Sequence, residues 1–185
     1  VKATMSQVNA GVIRRDLLHI VKAREALQKL TTRELIDISS KAGDLFLNGN
    51  LPLGENGKLQ SAQDYLETLS STSGLPHVMV KRNMDKTHYA LTHIELILNG
   101  LTRGIDLPTL DKGYGQQAGS PGCFYPTTNA LGLVMASNSP AVNSLWLPSI
   151  ALKIPIVMKP GRDEPWTPFR LIQAFIEAGC PREAF

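Results

Sequence analysis

Leu131-Gly-Leu-Val-Met-Ala136 and Ile154-Pro-Ile-Val-Met158 are two short, continuous apolar runs, and their reading decides the fold. Such runs are expected of strands buried on both faces. Residues 140–152 between them read as helical, with Pro148 kinking the helix or starting a turn. After the second run, Thr167 followed by Pro168 reads as an N-cap with proline at the first helical position. Phe169, Ile172, Phe175 and Ile176 form the apolar stripe of that helix, and Gly179 with Pro181 closes it. The order strand, helix, strand, helix predicts a βαβα unit and a parallel sheet.

The hundred residues upstream read as helices. Ile13, Leu17, Ile20, Val21 and Leu27 recur at the spacing of one helical face. Thr31 with Glu34 is a capping box, and Leu35, Ile38, Ala42 and Leu45 follow as a second stripe that stops near Asn48-Gly49. Residues 50–58 read as a polar loop. Ser61 with Asp64 repeats the cap, and Ala62, Tyr65, Leu66 and Leu69 lead to a stop at Gly74. Pro76 opens a fourth helix along Val80, Met84, Leu91, Ile94 and Leu98, ended by Asn99-Gly100. Residues 100–130, rich in glycine and proline, read as a long irregular connection and the one domain boundary. The chain therefore divides into a mainly helical segment with its connector, 1–115, and the strand-bearing part, 116–185.

In a βαβ unit, ligands sit at the carboxyl ends of the strands. Ser137-Asn138-Ser139-Pro140 and Lys159-Pro160-Gly161-Arg162 fall there. One reading makes Asn138 an amide donor and Lys159 a donor to a hydroxyl or phosphate. The other makes Asn138 a turn residue and Lys159 a solvated strand end. Gly113-Tyr-Gly115-Gln-Gln-Ala-Gly119 has the look of a phosphate-cradling loop, but it precedes a strand rather than following one, and is read as connector. His88 and His93 lie about 140° apart round their helix, so no metal site is expected. Ser71, Ser73 and Ser120 carry no nucleophile signature. Cys123 lacks a basic neighbour, and Cys180 reads as packing. Trp146 and Trp166 read as core or lid residues.

Composition narrows the class. The chain has 185 residues, 43% hydrophobic and 19% charged, with 19 basic against 16 acidic residues and a net charge of +3. That excess is small and scattered, which argues against nucleic acid. No apolar run approaches the roughly 20 residues of a membrane span. No leader pattern opens the chain. Cys123 and Cys180 read as reduced thiols, and a cytoplasmic location is expected.

Asn138-Ser-Pro140, Ile154-Pro-Ile-Val-Met-Lys159-Pro160 and Ile176-Glu-Ala-Gly-Cys-Pro181 together resemble the start of the cofactor domain of the aldehyde dehydrogenase superfamily. The segment Ser73-Gly-Leu-Pro76-His-Val-Met-Val80, and the spacing from Lys159-Pro160 to Pro165, are similar to one branch, the fatty acyl-CoA reductases of bacterial luminescence type. The resemblance implies an α/β protein in which a helical N-terminal segment precedes the first βαβα of a Rossmann-like parallel sheet, here incomplete.

By that resemblance Asn138 is the oxyanion-hole residue, and Ser137, Lys159, Pro160, Gly161 and Arg162 bind the dinucleotide. Where NAD-preferring members carry an acidic residue for the ribose hydroxyls, this chain carries Arg162. A guanidinium holds a 2′-phosphate bidentately, so NADP is the expected cofactor, with NAD as the alternative; otherwise Arg162 faces solvent and pairs with Asp163 or Glu164. The family's nucleophilic Cys and general-base Glu fall beyond Phe185, and its Gly-rich pyrophosphate loop is missing. The chain is thus expected to be the N-terminal portion of a longer enzyme. The implied activity is NADPH-dependent reduction of a fatty acyl-CoA to aldehyde through a cysteine thioester. Alternatives are an NAD(P)-dependent aldehyde dehydrogenase, and a nucleotide- or partner-binding module without catalysis. A homo-oligomer acting on acyl-CoA or aldehyde is expected.

Overall fold

The computed structural model describes residues 8–54 and 57–185. Glu55 and Asn56 of the expected loop, and the first seven residues of the stretch read for a leader, lie outside them.

Helices α1 (Ala10–Leu17), α2 (Ile20–Gln28) and α3 (Thr32–Asn48) open the fold. The single stripe expected over Ile13–Leu27 is not one face. The chain turns at His19 (φ −100°, ψ 4°), which resets the helical phase. Ile13, Leu17 and Val21 are exposed, and Ala23 and Leu27 carry the burial. Helix α3 starts as expected: Thr31 Oγ1 accepts from Glu34 N, and Glu34 Oε2 accepts from Thr31 N at 2.7 Å. That exchange satisfies two amides that no helical carbonyl reaches. Leu35, Ala42 and Phe46 of α3 have no exposed surface, and the helix packs against α5 and α9, both defined below.

The polar stretch after α3 holds a small antiparallel pair, β1 (Leu51–Pro52) and β2 (Leu59–Gln60). Helix α4 (Ala62–Ser73) has the expected Ser61/Asp64 box and ends at Gly74 in the left-handed region, φ 75°. The expected fourth helix is two, α5 (His77–Thr92) and α6 (Ile94–Thr102). Thr92 Oγ1 donates to the carbonyls of His88 and Tyr89, and His93 Nδ1 lies 2.8 Å from the Tyr89 oxygen. These side chains compete for the carbonyls of the last turn and bend the helix. Asn99-Gly100 does not end α6. Burial of Leu98 and Thr102 outweighs their weak helix propensity, and Arg103 (φ 56°) makes the stop.

The expected irregular connection is partly regular. Asp106 caps α7 (Leu107–Lys112), accepting from Thr109 N at 3.0 Å. A hairpin follows, β3 (Tyr114–Gln117) with β4 (Ser120–Cys123), turned by Ala118 and Gly119 at positive φ. Both central residues of such a two-residue turn need that conformation, which glycine supplies with little strain.

Strands β5 (Leu131–Val134) and β6 (Ile156–Lys159) pair in parallel, Leu131 opposite Ile156 and Val134 opposite Lys159. Burial on both faces does not hold. Leu131 and Leu133 pack on the core, whereas Val134 is 81% exposed. Among the described residues the sheet has two strands; Leu131, Leu133 and Met158 pack on the core, and Val134 has nothing over it. The crossover is not one helix but a 3-10 turn, residues 140–145, followed by α8 (Pro148–Ala151). Pro148 has no N–H and takes the first position of the new helix. Helix α9 (Trp166–Ala178) begins before the expected cap, and Gly179 (φ 111°) ends it as expected. Its buried face is Leu171, Ala174, Phe175 and Ala178, with Phe169 left exposed. The stripe differs from the expected one because α9 packs chiefly on α3, with further contacts to β1 and α4.

The result is a mixed α/β fold, mainly helical, with one core. Leu35, Phe46, Tyr65 and Leu91 from the first half pack in the same cluster as Trp146, Ile156, Leu171 and Phe175 from the second. The 115/116 division expected from the sequence falls inside β3. Among the described residues no helix is long and apolar enough to cross a membrane.

Candidate functional site

Parallel pairing carries β5 and β6 to a common edge. Beyond the strands, Met135 N donates to Lys159 O at 2.9 Å, so the ladder runs on into the segments that follow. There the two segments touch. Ser137 Oγ accepts from the backbone N–H of Asp163 at 3.2 Å. Gly161 is buried against Ala136; a Cβ on it would lie 2.7 Å from the Ala136 carbonyl oxygen and 2.7 Å from Ser137 Oγ. That approach admits glycine alone, since the atoms opposing a side chain belong mainly to backbone.

Around this contact stand the residues expected to act. Asn138, Lys159 and Arg162 are exposed, Ser137 and Pro160 half-buried. Among the described residues neither Lys159 nor Arg162 forms an ion pair: Arg162 faces solvent, as the alternative reading had it, but the pairing with Asp163 or Glu164 that went with that reading is not formed. Ser139 Oγ accepts from Ala141 N at 3.3 Å and starts the crossover, which leaves Asn138 at the tip of the turn. An amide and two cations thus stand on two segments that parallel pairing brings together, with Gly161 letting those segments close on each other. Such a set suits a polyanionic ligand: the guanidinium and ammonium for phosphate or ribose oxygens, the amide for an oxygen that gains negative charge.

Beneath the turn lie residues that the sequence reading missed. Thr167 is not the helix cap. Its backbone N–H and its hydroxyl both donate to Glu164 Oε1, at 2.8 and 2.6 Å. Tyr65 on α4 places its hydroxyl 2.6 Å from Thr167 Oγ1, and Trp166 Nε1 donates to Thr72 Oγ1 at 3.0 Å. Burial pushes the Glu164 carboxyl up to about 7, against the hydrogen bonds from Thr167 that favour its ionised form. The Tyr65 phenol is likewise pushed up, chiefly by burial. An acidic residue just ahead of a helix is the one sequence signal for Glu164; nothing local marks Tyr65.

The other candidates are placed apart from this edge. Gly113–Gly119 forms the strand and turn of the hairpin. His88 Nε2 pairs with Asp44 at 2.9 Å, and His93 stacks on Tyr89. Among the described residues no group of three or more His, Cys, Asp or Glu side chains is arranged to hold a metal. Cys123 is exposed on β4. Cys180 is buried, which pushes its thiol up to about 12. Trp146 and Trp166 are both buried. A surface depression of about 550 Å³ opens beside α6, lined by His93, Leu96, Asn99 and Ile105, and includes none of the strand-end residues.

No protein-family model matches the chain, and no curated protein shows significant similarity to it.

Proposed function

We propose that this chain is the nucleotide-binding, N-terminal portion of an NADPH-dependent reductase that converts a fatty acyl-CoA to its aldehyde, built on a Rossmann-like sheet of aldehyde dehydrogenase type. The observation that carries the reading is the meeting of Ser137–Asn138 with Lys159–Arg162 at the carboxyl edge of a parallel strand pair, sealed by the Gly161 contact. In open α/β sheets that edge is where nucleotides bind.

The residues fit the dinucleotide. Lys159 donates to the ribose hydroxyls of the adenosine, and Arg162 takes the 2′-phosphate through paired N–H groups. NADPH supplies the hydride. Asn138 donates its amide N–H to the carbonyl oxygen of the acyl group as charge gathers there. A cysteine thiolate from another part of the enzyme displaces coenzyme A, forming the thioester, and is released again when the aldehyde forms.

Titration of the chain with NADP⁺ and NAD⁺ tests this. NADP⁺ is expected to bind about 10-fold or more tightly than NAD⁺, the effect of one charge-assisted hydrogen-bond pair. Arg162→Glu is expected to invert that order, because a carboxylate repels the 2′-phosphate and accepts from ribose hydroxyls. Absence of binding to both nucleotides overturns the reading.

A further inference from the structure

Residues 160–165 join β6 to α9, and this segment with the first turn of α9 is held from two directions. Towards β5, Gly161 packs under the Ala136 carbonyl and Asp163 N donates to Ser137 Oγ. Towards α4, Glu164 turns back on its own helix and accepts both Thr167 donors through Oε1, while Trp166 Nε1 reaches Thr72. Since Thr167 gives its hydroxyl proton to Glu164, its oxygen is left to accept from the Tyr65 hydroxyl. The donors therefore run in one direction, Tyr65 to Thr167 to Glu164. Arg162 is the residue between the two pinned neighbours, Gly161 and Asp163.

This strap caps a helix with a buried carboxyl. The usual cap would be a Ser or Asp at position 165. Pro165 stands there instead, and the acceptor is a carboxyl on the preceding residue with 1% of its surface exposed. Burying an ionisable group disfavours its charged form, so the arrangement gives up stability at a place two residues from Arg162.

We propose that Glu164, through Thr167 and Tyr65, is a positioning residue for cofactor selectivity: the strap fixes the backbone of the turn that carries Arg162, so that the guanidinium meets the 2′-phosphate of NADP⁺. The proposal rests on the nucleotide-site reading above and names the device that sets its selectivity. Helix α4, which contributes no residue to the strand edge, governs through this strap which nucleotide the edge prefers. NAD⁺ lacks the phosphate and is indifferent to the placement of Arg162.

The test measures dissociation constants for NADP⁺ and NAD⁺, with melting temperatures, on the full chain and on Glu164→Ala, Glu164→Gln, Thr167→Val and Tyr65→Phe. Glu164→Ala and Thr167→Val are expected to weaken NADP⁺ binding about 10-fold, the effect of leaving a buried partner unsatisfied, with NAD⁺ binding changed less than about 2-fold. Tyr65→Phe is expected to weaken NADP⁺ binding alone, by about 3-fold. Glu164→Gln is expected to restore the selectivity, because its amide oxygen accepts the same two donors. Should Glu164→Ala fail to fold, the near-isosteric Thr167→Val and Tyr65→Phe decide the matter. Equal losses on both nucleotides, or unchanged selectivity in these folded variants, overturn the strap while leaving the site reading intact. A wild-type chain that binds neither nucleotide overturns both.

Discussion

Glu164 shows at the scale of one residue how a local destabilisation leaves a measurable trace. Its carboxyl titrates in water near 4.5 and is pushed up to about 7 in the fold by burial. A folded value above the unfolded one means that the native state holds a proton that the unfolded chain has already released. The associated stability is complete below about pH 4.5 and is lost as pH rises through about 7. The loss across that window is on the order of 3 kcal/mol, at about 1.4 kcal/mol for each tenfold change in proton activity. Glu164→Gln carries no such proton. Urea midpoints for wild type and variant are expected to be close at pH 5 and to separate at pH 8, with the variant the more stable. Equal separation at both pH values would show that the carboxyl is not perturbed. Asp111 titrates in the opposite sense. Burial works to raise it, but the Lys153 ammonium at 2.6 Å and the Thr32 donors more than offset this and hold it below its ordinary range. Its contribution is kept above that range and lost in acid.

At the scale of elements, caps were legible in the sequence because a cap is a local exchange of hydrogen bonds. Thr31/Glu34 and Ser61/Asp64 need only three residues of spacing and a side chain of the right length, and both boxes form. The cap of α9 was misread because its partner comes from ahead of the helix and its Thr is engaged from another element. The strand ends were legible as well: continuous apolar runs give β5 and β6, and parallel pairing brings Ser137 beside Asp163. The closeness of that contact was not, since only the packed chain shows what a side chain on Gly161 would strike. Gly161→Ala is expected to push the segment around position 161 away from Ala136 and Ser137, to cost about 1–3 kcal/mol of stability by overpacking, and to weaken nucleotide binding. Chemical denaturation checks the first effect and the NADP⁺ titration the second. A variant as stable as wild type would show that the two segments are free to separate.

At the scale of the whole molecule, Arg170 binds the two halves of the chain together. From α9 its Nε, Nη1 and Nη2 donate to the carbonyls of Phe46 at 2.9 Å, Gln60 at 2.9 Å and Gly49 at 2.7 Å. Its guanidinium also lies over the rings of Phe46 and Tyr65, 5.9 and 5.5 Å from their centroids. Burial lowers its pKa to about 10, yet it stays charged, and these carbonyls are what make that charge tolerable. Lysine has neither the planar fork nor enough donors at those angles. Arg170→Lys is expected to cost about 3 kcal/mol or more and to lower the melting temperature of both halves as one transition. Separate transitions for the helical segment and the strand-bearing part would show that the halves do not share a core. The sequence by itself determined what depends on neighbours along the chain: the Thr31/Glu34 and Ser61/Asp64 caps, the runs that become β5 and β6, and the placing of Asn138, Lys159 and Arg162 after those strands. Tertiary structure alone decided which face of α9 is buried, where the fourth helix breaks, and that Tyr65, Thr167 and Glu164 meet beneath the turn. The reason is physical. Propensity, capping and periodicity act within one or two turns of the backbone. Burial, the approach at Gly161 and the partners of a buried charge are set by segments distant along the chain, and no local pattern encodes them.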